Sequence, residues 1–492
     1  MSKSALTILF LVLFSVQVQA QLKFVLELYR HGARTPINSW YDADQQKADA
    51  GELTATGQRQ HYNLGLKLRE EYRGFIPDHY NHSEIYVRST DVNRTLMSAA
   101  SHVQGMFPQY TGNQLPSNLS EQYTLPYFKD AQNYLPNTLS ALPSNIQVLP
   151  IHTQLEEGDI VLQPDSNCDN YSKLKKAFYA EKQDTINFIN QQFSNTYQQY
   201  SIAVNKTVKN FDDMHSLEST FECDRYNARY VPYFSFDLRE NATFLTSLSW
   251  NFQFGQPELL RALNTPFLNQ LLAYLNPVVQ GKNKNGLKWV MFSAHDTNVH
   301  LISAALNFTS IDCLLNQRFP DQFKPTTPYY NCEQYPHFTA SLLFELHQAN
   351  QTFTENGVQV NDQQFYLKIR RDGKFMNLCE TNSTVCTIEE FSKRVNWFVN
   401  DFNAVCNQPT SKNISNAQML SAARTQQIVQ TQNLVPINSE KAGSSSTNYY
   451  FIALIIQQIV IIIGGYAFYK SKQSKKTFDF QEFKDIEVGV QN

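Results

Sequence analysis

Arg30-His31-Gly32-Ala33-Arg34-Thr35-Pro36 follows an apolar run at 22–29 (LKFVLELY). A largely apolar run halted by Gly32 and Pro36 predicts a buried strand that stops at Arg30. Two guanidiniums and an imidazole therefore gather at a strand end, where open α/β sheets hold their ligands. Arginine stays charged, and its planar fork matches the oxygens of a phosphoryl group. A neutral imidazole between two such forks can attack phosphorus without a separate base. His31 is the candidate nucleophile, and Arg30 and Arg34 are candidate phosphate ligands.

The surrounding pattern predicts an α/β fold. Strands are expected at 84–88 and 287–293, and helices at 56–73 and 91–106. Thr56 is expected to cap the first helix, whose Leu64, Leu68 and Tyr72 share a face, and Asp91 the second. From 126 to 280 strand signals fade apart from 146–149, and segments 171–192 and 257–275 look helical. This stretch reads as a mainly α insertion covering the sheet's carboxyl edge. Residues 338–346 and 365–370 are β segments open to pairing, and 387–402 is a helix with Glu389 and Glu390 near its positive end.

The heptad has the spacing R-H-G-x-R-x-P, and on it the chain resembles the histidine acid phosphatases, a branch of the phosphoglycerate-mutase-like superfamily. Further matches are Leu53-Thr54-Ala55-Thr56-Gly57, Tyr86-Val87-Arg88-Ser89-Thr90-Asp91, Pro150-Ile151-His152-Thr153 and Ser293-Ala294-His295-Asp296-Thr297. Together these span about residues 22–406 and look closer to the prostatic and lysosomal members than to the fungal phytases. Ala33 stands where several relatives carry an acid.

The resemblance implies a three-layer sandwich around a central mixed sheet, with the insertion as a mainly α-helical, substrate-selecting cap. It implies acid phosphatase activity on phosphate monoesters through a phosphohistidine. His31 would be the nucleophile and Asp296 the general acid; Arg30, Arg34, Arg88 and His295 would bind the phosphate. On residues alone, Arg88 could instead pair with Asp91, and Asp296 could be a helix cap. The resemblance also implies disulfides Cys168–Cys406, Cys223–Cys332 and Cys379–Cys386, with Cys313 free. Two readings compete: a phytase-like inositol-polyphosphate phosphatase with a more basic pocket, and a non-catalytic cell-surface receptor retaining the fold.

The 492 residues divide into a signal peptide at 1–20, a catalytic core at 21–125 and 281–406, a cap at 126–280 and a stalk at 407–448. An apolar segment at 449–469, long enough at about 1.5 Å per residue for the roughly 30 Å hydrocarbon core, predicts one C-terminal transmembrane helix. Lys470, Lys472, Lys475 and Lys476 follow it and put the tail, 470–492, in the cytosol. The ectodomain would face a lysosome-like lumen or the exterior. Sequons at Asn81, Asn118, Asn170, Asn205, Asn241, Asn307, Asn350, Asn382 and Asn413 fit glycosylation there. Asn93, five positions after Arg88, is set aside because a glycan would crowd the site.

A formal net charge of -3 without a basic patch argues against a nucleic-acid partner. The expected partners are small phosphomonoesters and the membrane, and a homodimer is compatible. No C-x-x-C or H-x-x-x-H spacing supports a metal, and neither metal nor cofactor is expected.

Overall fold

The computed structural model describes residues 20–38, 40, 49–127, 129–134, 138–325 and 328–406. The apolar run becomes β1 (Ala20–Arg30), fully buried from Phe24 onward. It lies parallel to β4 (Trp289–Ala294), which is parallel to β2 (Ile85–Thr90), itself parallel to β3 (His152–Gln154). Parallel strands flanked by helices are buried on both faces, hence a run that is apolar on both faces but for Glu27, where a half-buried strand would alternate. On the other side of β1 the sheet is antiparallel through β5 (Ser341–Ala349), with β6 (Phe353–Glu355) and β7 (Val358–Val360) a separate hairpin. It continues into β8 (Phe365–Arg371), which pairs with β9 (Lys374–Phe375) and β10 (Cys386–Thr387). The order β10-β8-β5-β1-β4-β2-β3 makes a mixed sheet, and 338–346 and 365–370 do pair.

The helices in chain order are α1 (Ala55–Glu71), α2 (Asn93–Met106), α3 (Tyr171–Glu181), α4 (Gln183–Gln192), α5 (Ser194–Val204) and α6 (Phe211–Tyr226). They continue with α7 (Phe236–Phe254), α8 (Pro257–Val279), α9 (Asp296–Ala305), α10 (Ile311–Arg318), α11 (Ile388–Phe398) and α12 (Phe402–Cys406). Alternation along β1 sends Phe24, Leu26 and Leu28 to the face packed by Leu271 of α8 and Val299 of α9. Val25 and Tyr29 face Leu68 of α1 and Val103 of α2. A helical layer thus covers each face of the sheet.

Helices α1 and α2 meet through glycines. A Cβ on Gly105 would lie 2.1 Å from the Tyr62 carbonyl, and one on Gly65 2.2 Å from that of His102. Helices α3 to α7 share a separate apolar cluster with α10, joining Phe178, Ile189, Phe211, Leu248 and Leu314. α8, expected at the end of the cap, instead packs on the sheet, because Phe267, Leu268 and Leu271 lie in the sheet's own cluster.

Several local expectations move by a few residues. Thr54, not Thr56, caps α1, accepting from Gly57 N at 3.4 Å. Val92 stands at the α2 cap position in place of Asp91, and Thr95 Oγ1 bonds its carbonyl at 2.7 Å. Residues 146–149 are not a strand; the outer neighbour of β2, on the side away from β4, is β3.

The disulfides are Cys168–Cys406, Cys379–Cys386 and Cys313–Cys332. The expected Cys223–Cys332 bond is corrected: α10 brings Cys313 within a Cα–Cα distance of 5.8 Å of Cys332, and Cys223 is a buried free thiol. Asn118, Asn205, Asn307, Asn350 and Asn382 are exposed. The side-chain amides of Asn81, Asn170 and Asn241 donate to Glu84, the Val405 carbonyl and Thr196. Asn413, the stalk, the apolar segment 449–469, the tail and 1–19 lie outside the described residues. Among the described residues no helix is long and apolar enough to cross a membrane.

Candidate active site

Strand register builds the site. Arg30 pairs with Ala294 across β1 and β4, and Ser89 with Ser293 across β2 and β4, so three parallel strands end at one level. His31, Thr90 and His295 emerge side by side there, with His31 N donating to the Ala294 carbonyl at 3.0 Å. Gly32 lets the chain turn against the start of α1, because a Cβ there would lie 2.4 Å from the Gly57 carbonyl.

His31 is buried, and its Nδ1 is 2.8 Å from the Gly32 carbonyl. A carbonyl only accepts, so Nδ1 carries the proton and Nε2 keeps its lone pair. Burial, together with the charges of Arg30 and Arg94, holds the His31 pKa well below the usual histidine value. The ring is therefore neutral even in acid.

Arg30 is fully buried beneath it. Its Nη1 donates to the Pro336 carbonyl at 2.8 Å and to Glu222 Oε2 at 3.2 Å, and its Nη2 lies 3.0 Å from Asp296 Oδ2. The guanidinium stacks on Phe338 at 4.2 Å and on Tyr335 at 5.2 Å. Arg34 Nη1 donates to the Thr35 carbonyl at 3.0 Å and meets Cys223 Sγ at 3.3 Å, while Asn227 of the following turn holds the Arg34 carbonyl.

The third arginine is not Arg88. Arg88 is paired with Phe292 in the β2–β4 register, so it stands on the α8 face of the sheet, behind the carboxyl edge. It meets Asp159 at 2.6 Å and Gln154 at 3.2 Å, so the structure does not bring it together with Arg30 and Arg34, and its ion pair is with Asp159 in place of Asp91. Arg94, in the first turn of α2, reaches the site instead, with Nη2 3.4 Å from His295 Nδ1. Burial and the neighbouring Arg34 lower its pKa to about 10. One sequence signal pointed there: a cation in the first turn of a helix opposes the macrodipole and calls for another reason to stand there.

His295 was expected to donate to phosphate. Here Nδ1 faces the Arg94 donor, so Nε2 carries the proton and donates to Thr90 Oγ1 at 3.1 Å. His295 thus reaches the pocket through Arg94. Burial first, then Arg94, lowers its pKa to about 3.

Asp296 opens α9, and His295 rather than Asp296 occupies the cap position, with its N–H on Asn298 Oδ1 at 3.1 Å. Tyr335 donates to Asp296 Oδ2 at 2.9 Å. Burial raises the Asp296 pKa, but Arg30 and Arg34 outweigh it and hold the carboxyl well below the usual carboxylate range. Without substrate the carboxyl is ionised.

The arginines leave donors over. Arg30 Nε and Nη2, Arg34 Nε and Arg94 Nε are buried without an aligned hydrogen-bond acceptor among the described residues. Buried unpaired N–H groups are costly, and the charges of Arg30, Arg94 and Arg34 all act on His31.

A family model, histidine phosphatase superfamily (branch 2), matches residues 21–370. The chain belongs to that family. It is 31% identical over 319 residues to a lysosomal acid phosphatase of Xenopus laevis, covering 61% of this chain and 66% of that protein. It is 28% identical over 343 residues to the Homo sapiens lysosomal acid phosphatase, covering 67% and 68%, and 28% over 326 residues to a prostatic acid phosphatase of Rattus norvegicus, covering 62% and 76%. The chain thus spans about two thirds of the length of the lysosomal relatives. The apo phytase of Hafnia alvei shares its fold with a TM-score of 0.54 at 15% identity, over 80% of this chain and 99% of that one. The Klebsiella sp. ASR1 phytase does so with a TM-score of 0.52 at 15% identity, over 77% and 96%.

Proposed function

We propose that the chain is an acid phosphatase that hydrolyses phosphate monoesters through a phosphohistidine on His31. The observation that carries this reading is the set of unpartnered buried N–H groups of Arg30, Arg34 and Arg94 beside the free Nε2 of His31. In the first step Nε2 attacks phosphorus, the ester P–O bond breaks, and Asp296 gives the departing oxygen its proton. In the second, water attacks the phosphohistidine, its proton passes to Asp296, and inorganic phosphate leaves. The three guanidiniums meet the equatorial oxygens throughout, the electrostatic work that dominates phosphoryl transfer.

An acidic optimum follows from where the proton begins. Asp296 is ionised in the free site, so the proton has to come with the substrate. A phosphate monoester has a second pKa near 6 and carries a proton below it. Among three arginines the dianion is favoured, and the proton passes to the Asp296 carboxylate. His31 is neutral over the same range, so nucleophile and acid are competent together.

The groups acting on the arginines include Glu222, Asp296 and Glu156, and acidic neighbours disfavour a ring bearing many phosphates. Several relatives are named lysosomal acid phosphatases, and for this chain we infer a glycosylated ectodomain in a lysosome-like lumen or the exterior, behind a cleaved signal and anchored by 449–469.

The test is an assay of the secreted ectodomain with an aryl phosphate, an alkyl phosphate and phytate. Asp296→Asn should lower kcat/KM, which reads the first step alone, by about 10²–10⁴-fold for the alkyl ester, the usual worth of general acid catalysis, and spare it for the aryl ester, whose oxygen departs unaided. Equal losses would return Asp296 to a structural cap. Preference for phytate would favour the inositol-polyphosphate reading, and no turnover the receptor reading.

A further inference from the structure

Two carboxylates share one arginine. Asp296 lies 3.0 Å from Arg30 Nη2, and Glu222, from α6 of the helical insertion, lies 3.2 Å from Nη1. Glu222 is 5% exposed, and its other oxygen accepts from Nδ1 of His337, whose ring is 62% exposed. A chain of contacts therefore runs from solvent through His337, Glu222 and Arg30 to Asp296 and its partner Tyr335. The contact of Nη2 with Asp296 is poorly aligned, whereas the contact of Nη1 with Glu222 is a hydrogen bond. Arg30 is thus held more firmly on the Glu222 side.

We propose that Glu222 is a positioning residue that competes with Asp296 for Arg30, and so leaves Asp296 able to take and return a proton while substrate is bound. The proposal rests on the reading of Asp296 as the general acid. Were Arg30 to answer Asp296 alone, the aspartate would stay ionised and the leaving oxygen would depart unprotonated. Asp296 cannot relieve this by moving, because Tyr335 and the start of α9 fix its carboxyl.

The groups facing Glu222 come from every element packed on it: Arg30 from β1, His337 and Tyr335 from the segment before β5, Asp296 from α9, and His215, Glu218, Arg225 and Tyr226 from its own helix. Glu218 is taken by Arg225 at 2.8 Å, which leaves Glu222 as the carboxylate that meets Arg30 from α6. Burial pushes the Glu222 pKa up, but Arg30 and the His337 bond carry it below the usual glutamate range, so it remains a charged competitor in acid. Beside it a cavity of about 40 Å³, lined by His215, Thr246 and Tyr335, has room for ordered water. A glutamine of the same shape fits there without overpacking.

The experiment compares pH profiles of kcat/KM, which reads the leaving-group step, on an alkyl and an aryl phosphate for the wild-type ectodomain, Glu222→Gln, Glu222→Asp, His337→Gln and Asp296→Asn. Glu222→Gln should lower alkyl turnover by about tenfold and move the basic limb of the alkyl profile down by about one pH unit, the two being the same effect. Aryl turnover should hold within about threefold. Glu222→Asp, which keeps the charge, should restore most of the alkyl rate. His337→Gln, at an exposed position that folding tolerates, removes a strong donor from Glu222, strengthens its pull on Arg30 and should move the alkyl limb upward. Equal losses on both substrates with unmoved limbs in the Glu222 and His337 variants would overturn the inference, even with Asp296→Asn still separating the substrates. Failure of Asp296→Asn to separate them would overturn the acid assignment and this inference with it.

Discussion

Exchanging Arg88 and Arg94 for alanine should give opposite results. Arg88 meets Asp159 at 2.6 Å, and the aspartate side chain is 1% exposed. Arg88→Ala therefore strands a buried carboxylate, and breaking such a pair from one side costs about 3–5 kcal/mol. Arg94 is the reverse case. Holding its pKa at about 10, against an arginine's ordinary value, disfavours its charged form in the free protein by about 3 kcal/mol. Its removal should leave the fold as stable as before or slightly more so. Activity should fall, because losing one donor to the transition-state oxyanion typically costs about 10²–10³ in kcat. Urea unfolding and kcat on an aryl phosphate should thus part cleanly: Arg88→Ala less stable but within a few-fold per folded molecule, Arg94→Ala stable and nearly inactive. An inactive, stable Arg88→Ala beside an active Arg94→Ala would refute the placement of the third phosphate ligand.

The buried histidines predict an acid-sensitive fold. Burial and the charge of Arg371 lower the His300 pKa to about 3, so the folded state keeps it neutral while the unfolded chain protonates it below about 6.5. Its contribution is present above that value and lost as pH falls toward 3. His300→Leu should flatten the stability profile between pH 6 and 4 by about 1.4 kcal/mol per pH unit, and an unchanged slope in pH-dependent urea unfolding would count against it. Gly105→Val should drive α1 and α2 apart, since a Cβ already meets the Tyr62 carbonyl at 2.1 Å. A drop of several degrees in Tm is expected, and an unaltered Tm would mean the helices cross elsewhere.

The parts of the site carried by contiguous residues were legible before the structure. A strand followed by Arg30-His31-Gly32, and another feeding His295-Asp296, encode both the sheet and what stands at its edge, since an apolar run and its terminating residues act locally. Arg94 was missed because the resemblance offered Arg88 six positions earlier, and only register shows that Arg88 faces α8 while the first turn of α2 faces the pocket. Glu222, Tyr335 and Phe338 left no trace, because they meet Arg30 from more than 190 positions away in sequence. Long-range packing of that kind has no period to read. The cysteines failed likewise: spacing alone admits many pairings, and only the packing of α10 brings Cys313 to Cys332.

The most direct test of the account is to quench the ectodomain during turnover of a phosphate-labelled aryl ester at acid pH and locate the label. The account predicts one labelled residue, His31 at Nε2, in a bond that alkali spares and acid breaks, with no label and no turnover in His31→Ala. Full turnover by His31→Ala, or label on any other residue, would contradict it.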